Sequence, residues 1–372
     1  MAPGIDPDFN RLASLIWTHP VLALARDSAI SDVYLVGGAI RDCLADFRVD
    51  DIDLVVEGDP MPLARSLDPE ARLNERFGTV DLKVEGSLVD IATARTETYS
   101  RPGALPDVNP GRLDEDLRRR DFTINAMAIS LEPDSALVDP CGGLADLESG
   151  VLRVLHDDSF VDDPTRALRA AKYAARFGFD LEPKTAELLL RTDLGTVSRD
   201  RVEHEVRLLA LEDNALDALR LARIWGLIEF DGARLDLAEV AIELLELDPW
   251  EGIVPREEAV LAAVFSETDS FEDLVESPPT PWAGYCRARG RDLLSVLLAR
   301  AAGGAWLDEW LRNWRRVGLE ITGADLIAAG LPEGPLVGEA IDAALEAKLN
   351  RGTSGAEEEL RVALAAVGGG TV

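Results

Sequence analysis

Two short segments near the N-terminus combine residue types that can act together on a phosphorylated substrate. In residues 34–42, an apolar run leads into Gly37 and Gly38 and then into a helical pattern. Glycines at the start of a helix let backbone N–H groups approach a phosphate, whose negative charge the helix dipole favours. Arg41, one turn further on, supplies a cation. The same pattern is also typical of an ordinary turn, so it needs a second feature to become a functional signal.

The second segment, residues 51–56, begins with two carboxylates separated by one residue. Side chains at i and i+2 of a strand project from the same face, so Asp51 and Asp53 point together while Ile52 packs behind them. Two carboxylates this close repel each other unless a divalent cation neutralises them. An acidic edge strand is the alternative interpretation. Asp90, on a further predicted strand, is a candidate third carboxylate, with a solvated strand residue as its alternative.

The order of these parts is more informative than either part alone. A glycine turn, a helix and then a carboxylate pair on the next strand occur together much less often by chance. This order indicates a nucleotidyltransferase in which Asp51 and Asp53 hold metal ions and the glycine turn binds a triphosphate.

Two kinds of sequence pattern predict the elements that position these residues. Short Val- and Ile-rich runs predict strands in the first third, and Ala-, Leu- and Arg-rich segments at helical spacing dominate after about residue 158. The predicted strands are 33–36, 52–56, 79–84 and 88–93, the last two joined as a hairpin around residues 85–87; the predicted helices include 9–26, 39–45, 164–177, 183–190 and 201–211. A proline-rich stretch at 266–284 is a candidate joint.

The charge balance is strongly acidic, with 38 basic and 69 acidic residues and a formal net charge of −31. A polyanionic partner would therefore need locally clustered cations. Lysine occurs only at positions 83, 172, 184 and 348, so nearly all positive charge is arginine, the side chain suited to bidentate phosphate and base contacts.

Length and cysteine content indicate a multidomain chain in a reducing compartment. The 372 residues exceed one ordinary domain of roughly 100–200 residues. Three widely spaced cysteines without a CxxC pair fit a reduced cytoplasm. We expect neither secretion nor a membrane-spanning segment, because no basic stretch leads into an apolar run at the start and no run of about 18 apolar residues occurs.

Six segments together resemble a known family. In order and spacing, LVGGAIRD, DDIDLVVEGD, VDIATARTETY, RRDFTINAMA, LVDPCGGLADL and DDPTRALRAAKYAARFGF are similar to the motifs of class II tRNA nucleotidyltransferases, which include CCA-adding enzymes and bacterial poly(A) polymerases. The resemblance covers about residues 30–210. It implies an α+β fold in which a small mixed-sheet nucleotidyltransferase head (1–138) precedes an all-helical neck (139–210), body (211–270) and tail (271–372), with a head-to-neck hinge around residues 139–143.

The resemblance also implies roles for individual residues. Asp51 and Asp53 match the carboxylates that bind catalytic Mg²⁺, with Asp90 as the further catalytic candidate. Arg120 matches a residue placed against the nucleotide. The complete predicted nucleotide-binding set is Gly37, Gly38, Arg41, Asp42, Arg120, Asp163, Arg166, Arg169 and Lys172.

Asp163 and Arg166 match the pair that serves the family as a protein template for the incoming base. A carboxylate accepts from the exocyclic amino group of C or A and a guanidinium donates to a ring acceptor, so one pair serves both bases and rejects U and G. From the residues alone, a carboxylate at a helix start followed by an ordinary amphipathic helix explains the pattern equally well. Two positions depart from the family pattern, since Asp162 replaces a Glu and Lys172 stands where Arg is common.

The implied reaction is attack of an RNA 3′-hydroxyl on the α-phosphate of CTP or ATP, with release of pyrophosphate. The implied partner is the 3′ acceptor end of tRNA, held through its shape and backbone. Two arginine clusters are candidate RNA contacts or, alternatively, neutralising surface patches: Arg287, Arg289 and Arg291, and Arg312, Arg315 and Arg316. The loop 96–114 resembles the flexible element that helps the family change from C to A addition, which disfavours an enzyme adding only CC.

Four alternatives remain open. An A-adding enzyme that works beside a CC-adding partner fits the same motifs. A poly(A) polymerase is disfavoured, because residues 74–80 lack the basic segment typical of that class. A non-catalytic RNA-binding paralogue is disfavoured by the retained carboxylates and arginines. A metal-dependent phosphohydrolase is disfavoured because His19, His156 and His204 have no metal-ligand spacing.

Overall fold

The computed structural model describes residues 5, 7–28, 30–74, 78–132, 135–266 and 270–368. It divides into two compact units, Met1–Glu229 and Phe230–Val372. The predicted α+β architecture is confirmed, because a mixed sheet in the first unit is followed by helices. The finer division into head, neck, body and tail, and the hinge at 139–143, stay predictions.

A mixed sheet forms the centre of the first unit. The strands are β1 Val33–Val36, β2 Asp51–Val56, β3 Thr79–Val84, β4 Ser87–Thr93, β5 Arg95–Thr98, β6 Asp107–Pro110, β7 Ala128–Ser130, β8 Leu137–Val138, β9 Val151–Leu152 and β10 Asp180–Leu181. Among the described residues, the main sheet has the order β3-β4-β2-β1-β7-β8, with β2 and β4 parallel and the other neighbours antiparallel. β5 pairs with β6 as a separate antiparallel hairpin, and β9 pairs with β10 in parallel.

The predicted hairpin between β3 and β4 is confirmed. Val84 pairs with Ser87, which leaves Glu85 and Gly86 as a two-residue turn. Both turn residues have positive φ, 50° and 85°, as the type I′ turn requires for its twist to match the strands. Alternate residues of β3 are buried, so one face of this hairpin packs on the core.

Helices flank the sheet and fill the rest of the first unit. They are α1 Phe9–Thr18, α2 Pro20–Asp27, α3 Gly38–Leu44, α4 Met61–Leu67, α5 Leu113–Arg118, α6 Gly143–Ser149, α7 Ser159–Asp162, α8 Arg166–Phe177, α9 Pro183–Leu189, α10 Arg199–Ala210 and α11 Ala215–Ile224, with 3₁₀ turns at Thr123–Asn125 and Leu194–Thr196. The short β9 and β10 interrupt the region predicted to be all-helical.

The single helix predicted over residues 9–26 is wrong, because the chain forms two helices separated at His19. His19 has φ −70° and ψ 125°, an extended conformation. Pro20 has no N–H to donate into the preceding turn, and its ring disfavours the helical conformation of the residue before it. Pro20 instead occupies the first position of α2, where its missing N–H costs nothing.

One apolar core joins the sheet to α8. Ile52, Ile91 and Phe122 are completely buried, and Ala167 and Tyr173 of α8 belong to the same cluster. Burying apolar surface contributes roughly 25 cal/mol per Å². The core therefore fixes α8, with the predicted base-recognising Arg166 in its first turn, against the sheet that holds the carboxylates.

The second unit is helical in its described residues, as predicted. Its helices are α12 Ala233–Leu245, α13 Arg256–Phe265, α14 Pro281–Ala288, α15 Leu293–Ala301, α16 Leu307–Arg312, α17 Gly323–Ala328, α18 Pro335–Arg351 and α19 Ala356–Gly368, with 3₁₀ turns at Glu272–Leu274 and Trp314–Arg316. Part of the predicted joint at 266–284, residues 267–269, lies outside the described residues. No helix in the described part of the chain has the length and apolarity needed to cross a membrane.

Candidate active site

A cavity of about 710 Å³ in the first unit collects the predicted catalytic and nucleotide-binding residues. Its lining comes from the turn between β1 and α3, from β2 and β4, from the segment after α5, and from α8 and α10. The predicted residues that line it are Gly37, Gly38, Arg41, Asp42, Asp51, Asp53, Asp90, Arg120, Asp163, Arg166, Arg169 and Lys172. Residues separated by more than a hundred positions in sequence thus share one site.

The glycine turn brings backbone close to the arginine that was predicted beside the nucleotide. Gly37 has φ +65° and ψ −127°, a conformation that only glycine adopts readily. A Cβ atom on Gly37 would lie 2.6 Å from Nη1 of Arg120 and 3.5 Å from Oδ2 of Asp53. Any other residue would therefore displace the guanidinium of Arg120 and would come into contact with Asp53. α3 begins directly after this turn, at Gly38. Its first residues line the cavity, and the first N–H groups of a helix have no acceptor within the helix.

Three carboxylates lie close together on the neighbouring strands β2 and β4. The parallel register places Asp53 opposite Asp90, and Asp51 lies two residues before Asp53 on the same face of β2. Burial raises the pKa of Asp53; Arg120 opposes this shift and the charge of Asp51 adds to it. Burial, reinforced by the charges of Asp53 and Asp81, raises the pKa of Asp90 to about 6. The carboxylates are therefore short of positive charge.

The donor set at β2 fits a divalent cation. Carboxylate oxygens are the preferred ligands of Mg²⁺, which is usually held by one or two carboxylates together with substrate phosphates. Among the described residues, the side chains of Asp51 and Asp53 form no hydrogen bond or ion pair within 4 Å, so their oxygens are available. No group of three or more His, Cys, Asp or Glu side chains in the described part of the chain is arranged to hold a metal ion. The pair alone is the candidate metal site, with Asp90 beside it.

Arg120 is held toward the glycine turn by a buried carboxylate. Asp116 accepts from Nε of Arg120 at 3.3 Å and from Nη2 at 3.0 Å, and it also accepts from Arg119. Burial alone would raise the pKa of Asp116, but Arg120 and Arg119 outweigh it and lower that pKa. Nη1 of Arg120 points at Gly37 and donates to the carbonyl of Asn125 at 3.4 Å. This geometry orients the guanidinium for contact with an anion at the turn.

Arg41 and Asp42 line the cavity but already have protein partners. Nε of Arg41 donates to Asp42 at 2.8 Å and Nη1 donates to Asn125, while the guanidinium lies 4.7 Å from the centre of the Tyr173 ring. The other oxygen of Asp42 accepts from Arg176 at 3.2 Å. These contacts tie α3 to α8. The predicted phosphate contact of Arg41 stays a prediction, and the structure adds a role in positioning α8.

The carboxylate of Asp163 has one saturated oxygen and one with spare capacity. Oδ1 accepts three hydrogen bonds. Two come from Thr165, from its N–H at 3.1 Å and from its hydroxyl at 2.7 Å, and the third comes from Nη2 of Arg201 at 2.8 Å. In the described part of the chain, Oδ2 accepts only from Arg169, at 3.2 Å. Burial would raise the pKa of Asp163, but Arg169, Thr165 and Arg201 lower it. Asp163 is therefore an ionised acceptor, which suits the amino group of a base.

Arg166 is almost completely buried beside Asp163. Its Nη1 donates to the hydroxyl of Ser159 at 2.8 Å and its Nη2 donates to the carbonyl of Arg119 at 2.9 Å. Its Nε is buried and has no hydrogen-bond partner among the described residues. An unpaired buried donor costs about 1–3 kcal/mol, and this Nε would have to become accessible before it could pair with a ligand acceptor.

Arg169 is the centre of an ion network, and its predicted contact with the nucleotide stays a prediction. It donates to Asp121 at 3.0 Å, to Glu205 at 2.7 Å and to Asp163 at 3.2 Å. Burial opposes its charge, yet these carboxylates raise its pKa well above the ordinary value. Asp121 is buried as well, but Arg169 lowers the pKa of Asp121 to about 2. Lys172 makes a different kind of contact from Arg169, because its ammonium lies 5.1 Å from the centre of the Tyr173 ring.

The structure adds residues that the sequence did not single out. Glu97, Tyr99, Asp121, Arg176 and Arg201 all line the cavity. Arg176 continues the spacing of Arg166, Arg169 and Lys172 along α8, so the stripe itself could have revealed it. The others carried no local signal.

The predicted RNA-binding arginines lie in the second unit and have partners there. Arg287 donates to two backbone carbonyls, and Arg291 and Arg312 pair with Asp273 and Asp248. Arg289 makes a longer ion pair, 3.8 Å from Asp342, and the guanidinium of Arg315 lies over the Trp310 ring. Arg316 is the last residue of a 3₁₀ turn. Their predicted role in RNA binding stays a prediction, and neutralisation of local acid explains the observed pairs.

The chain matches one family description and several characterised proteins. Residues 33–153 match the poly A polymerase head domain. An A-adding tRNA nucleotidyltransferase of Halalkalibacterium halodurans is 32% identical, over 83% of each chain. A CC-adding enzyme of Deinococcus radiodurans is 33% identical, over 90% of this chain and 89% of that protein. An A-adding enzyme of Aquifex aeolicus is 46% identical over 53% of this chain, and the match spans only 25% of that longer relative.

Solved structures resemble the chain over nearly its full length. The apo form II of a CCA-adding enzyme has a TM-score of 0.81 at 29% identity, with 96% of this chain and 98% of that chain covered. The Thermotoga maritima CCA-adding enzyme complexed with tRNA has a TM-score of 0.75 at 28% identity and the same coverage. A CCA-adding enzyme complexed with ATP has a TM-score of 0.77 at 28% identity, again with 96% and 98% covered. The chain belongs to the family of tRNA nucleotidyltransferases that includes the A-adding, CC-adding and CCA-adding enzymes.

Proposed function

We propose that this protein adds C and A from CTP and ATP to the 3′ end of tRNA, completing the CCA sequence without a nucleic-acid template. One observation carries the proposal: a single cavity contains the carboxylate pair, the glycine turn and the Asp163–Arg166 pair. A nucleoside triphosphate needs all three, because its metal-bound phosphates, its triphosphate tail and its base must be held at once. Solved CCA-adding relatives in complexes with tRNA and with ATP support the choice of substrates.

In this proposal, Asp51 and Asp53 hold Mg²⁺ together with the triphosphate. Bound Mg²⁺ supplies activation of the attacking 3′-hydroxyl and neutralisation of charge on the leaving pyrophosphate. The turn at Gly37 and Gly38 supplies N–H donors to the phosphates, and Arg120 supplies the adjacent positive charge. Catalysis then depends on positioning and on charge neutralisation, because the protein forms no covalent bond to the nucleotide.

Base selection is assigned to Asp163 and Arg166. Oδ2 of Asp163 has spare capacity to accept from the amino group of C or A. Arg166 lines the same cavity, and its guanidinium would have to turn to donate to a ring nitrogen. U and G present a carbonyl where C and A present the amino group, so they would place two acceptors face to face. A buried polar group left unpaired in this way makes discrimination strong.

Addition of A alone is the second candidate. Two of the relatives described above are A-adding enzymes, and the similarity of this chain to them supports this candidate. The segment 96–114, which contains the β5–β6 loop, is present and contributes Glu97 and Tyr99 to the cavity, which argues against a CC-adding enzyme. The feature used against a poly(A) polymerase, the segment 74–80, contains residues 75–77, which lie outside the described residues.

The predicted compartment is the cytoplasm. All three cysteines, Cys43, Cys141 and Cys286, are free thiols. Unpaired cysteines are typical of a reducing environment.

Nucleotide addition to three labelled tRNA transcripts tests the proposal. The transcripts end before CCA, after C and after CC, and each is incubated with Mg²⁺ and CTP, ATP or both. Stepwise addition of C, C and A that then stops is the expected result. Incorporation of A only on the transcript ending in CC would replace the proposal with A addition, and unlimited A tails would indicate a poly(A) polymerase.

Two variants complete this experiment. Asp51→Asn should abolish incorporation, because it removes a charged metal ligand but keeps the shape of the side chain. Asp236→Asn is the matched control, since Asp236 is an exposed aspartate of the second unit and should leave incorporation unchanged. Full activity of Asp51→Asn would refute the assignment of the carboxylate pair.

A further inference from the structure

Asn125 is a buried residue of the cavity that the sequence did not single out. It is the last residue of the 3₁₀ turn Thr123–Asn125, is 6% exposed and lines the cavity. A buried carboxamide needs partners at both of its ends, because an unpaired buried polar group costs about 1–3 kcal/mol. The partners of Asn125 therefore indicate what this position contributes to the site.

The two ends of the Asn125 carboxamide bind groups of opposite charge. Oδ1 accepts from Nη1 of Arg41, and Nδ2 donates to Oδ1 of Asp121 at 2.8 Å. A guanidinium only donates and a carboxylate only accepts, so a single orientation of the amide satisfies both neighbours. An aspartate at this position would oppose Asp121 with a like charge, and a leucine would bind neither neighbour.

On one side, Asn125 is connected to the glycine turn. Arg41 belongs to α3, and its Nη2 would lie 3.5 Å from a Cβ atom on Gly38. The backbone carbonyl of Asn125 accepts from Nη1 of Arg120 at 3.4 Å, the same atom that a Cβ atom on Gly37 would approach to 2.6 Å. Asn125 therefore contacts both arginines that border the glycine turn.

On the other side, Asn125 is connected to the base-recognition carboxylate. Oδ2 of Asp121 accepts from Nε of Arg169 at 3.0 Å, and Nη2 of Arg169 donates to Oδ2 of Asp163 at 3.2 Å. Burial would raise the pKa of Asp121, but Arg169 and the hydrogen bond from Asn125 lower it to about 2. Donors and acceptors thus alternate without a break from Arg41, through Asn125, to Asp163.

We propose that Asn125 is a positioning residue that aligns the base-recognition carboxylate with the phosphate-binding turn. The inference rests on the proposed function and adds a residue to it. Asn125 acts through Arg41 and Asp121, because the two ends of its carboxamide bind these protein groups. Without Asn125, the phosphates still bind at the turn, but Oδ2 of Asp163 is no longer held at a fixed position relative to them. A nucleotide with the correct base then loses more than a nucleotide with a wrong base.

A purely structural role has a different signature. If Asn125 only stabilised the fold, its replacement would lower kcat/KM for correct and incorrect nucleotides by the same factor. The ratio of the two values separates the possibilities, because it is unaffected by the fraction of active protein.

Two variants break the connection in different ways. Asn125→Asp keeps the size of the side chain and the acceptor for Arg41 but places a like charge against Asp121, whereas Asn125→Leu binds neither neighbour. The charge that Asn125→Asp introduces acts on the triphosphates of ATP and GTP alike, so it cancels in their ratio. Asn214→Asp and Asn214→Leu are the matched controls, because Asn214 is an exposed asparagine outside the described cavity lining that donates to the carbonyl of Ala175 in α8 at 3.0 Å.

The experiment measures kcat/KM for ATP and for GTP on a tRNA ending in CC, and the dissociation constants of both nucleotides by titration calorimetry. Both Asn125 variants should lower the preference for ATP over GTP at least about tenfold, as expected when one hydrogen bond to a charged group is lost. The same change should appear in the ratio of dissociation constants. Both Asn214 controls should keep the wild-type ratios.

The outcomes against the inference are distinct. An unchanged ratio in either Asn125 variant would overturn it, and for a variant that no longer incorporates nucleotide the calorimetric ratio decides. Equal weakening or loss of binding for ATP and GTP would also overturn it, because a purely structural role predicts that result. A wild-type protein that incorporates no nucleotide would refute the proposed function itself, and with it the positioning role.

Discussion

Replacing Arg169 by lysine tests the ion network that supports the cavity. The guanidinium makes four hydrogen bonds, to the carboxylates of Asp121, Asp163 and Glu205 and to the hydroxyl of Thr165. The side chain is 20% exposed, so solvent screens these bonds only in part. Lysine preserves the charge but carries its donors on one atom. It can reach two of the four acceptors at most without moving the surrounding helices.

The expected cost follows from the bonds that are lost. A hydrogen bond to a charged group contributes about 1.5–3 kcal/mol, so the loss of two amounts to roughly 3–6 kcal/mol. Relaxation and retention of the positive charge favour the lower end. We expect the Arg169→Lys variant to lose about 3 kcal/mol of unfolding free energy, roughly a hundredfold in the equilibrium constant.

Hydrogen–deuterium exchange of the peptide covering α8 is the assay, because it reports on the first unit alone. Slowly exchanging amides of α8 should exchange roughly a hundredfold faster in Arg169→Lys. Arg199→Lys should change the same amides by less than about 0.5 kcal/mol, since the ion pair of Arg199 with Glu203 is exposed. Exchange within a factor of two of the wild type would refute the view that Arg169 organises this network.

Three further predictions concern other parts of the chain. Glu359→Gln should cost about 2 kcal/mol in urea unfolding at pH 7, because Glu359 is buried and accepts from Lys348 at 2.6 Å. Burial would raise the pKa of Glu359, but Lys348 and backbone N–H groups lower it below the ordinary 4.5. The contribution of Glu359 to stability is therefore full above pH 4.5 and is lost as pH falls through the lowered pKa. The difference between variant and wild type should narrow as pH falls below 4.5, and a constant difference would contradict this. Gly37→Ala should weaken ATP binding at least about tenfold in titration calorimetry, because its Cβ would lie 2.6 Å from Arg120; unchanged affinity would contradict the close approach. Chelation of Mg²⁺, or Asp53→Asn, should lower nucleotide incorporation by roughly a hundredfold or more, and undiminished incorporation in EDTA would exclude the proposed metal site.

Local periodicity was sufficient to predict the central strands. The limits of β1 and β3 agree with the prediction, and β2 and β4 each begin one residue earlier. Along each of these strands, apolar and polar residues alternate or the residues are mostly apolar. A window of a few residues is therefore enough to predict each strand. The β5–β6 hairpin was not predicted, because its residues are polar and it forms beside the main sheet.

The carboxylate pair was also predictable, but its surroundings were not. Asp51 and Asp53 share a face by the geometry of a strand. The contact between Asp53 and Asp90 depends on β4 lying parallel beside β2, which is a property of the whole sheet.

The network around Arg169 could not be derived from spacing. Its partners Asp121 and Glu205 are 48 and 36 positions away, and only the packing of α8 against its neighbours brings them together. The sequence predicted that Arg169 binds nucleotide, whereas its observed partners are protein carboxylates. Arginines at helical spacing predict a charged face of the helix, but they do not predict which groups of other elements contact that face.

Replacing Asp163 by asparagine tests the central claim, which is that this side chain selects the base. Three donors surround Oδ1, from Thr165 and Arg201, so the asparagine oxygen should take that position. The amide nitrogen then replaces Oδ2 and presents a donor where the base requires an acceptor. G and U offer a carbonyl at the matching position, so they become acceptable while A and C are disfavoured.

The measurement is single-turnover incorporation of each of the four nucleotides on a tRNA ending in CC, by the wild type, Asp163→Asn and the neighbouring control Asp162→Asn. The wild type and the control should prefer ATP over GTP equally. Asp163→Asn should lower the ATP-to-GTP ratio by roughly a hundredfold, as expected when one charged hydrogen bond is replaced by opposing donors. An equal loss with all four nucleotides, leaving the ratio unchanged, would contradict the claim that Asp163 recognises the base.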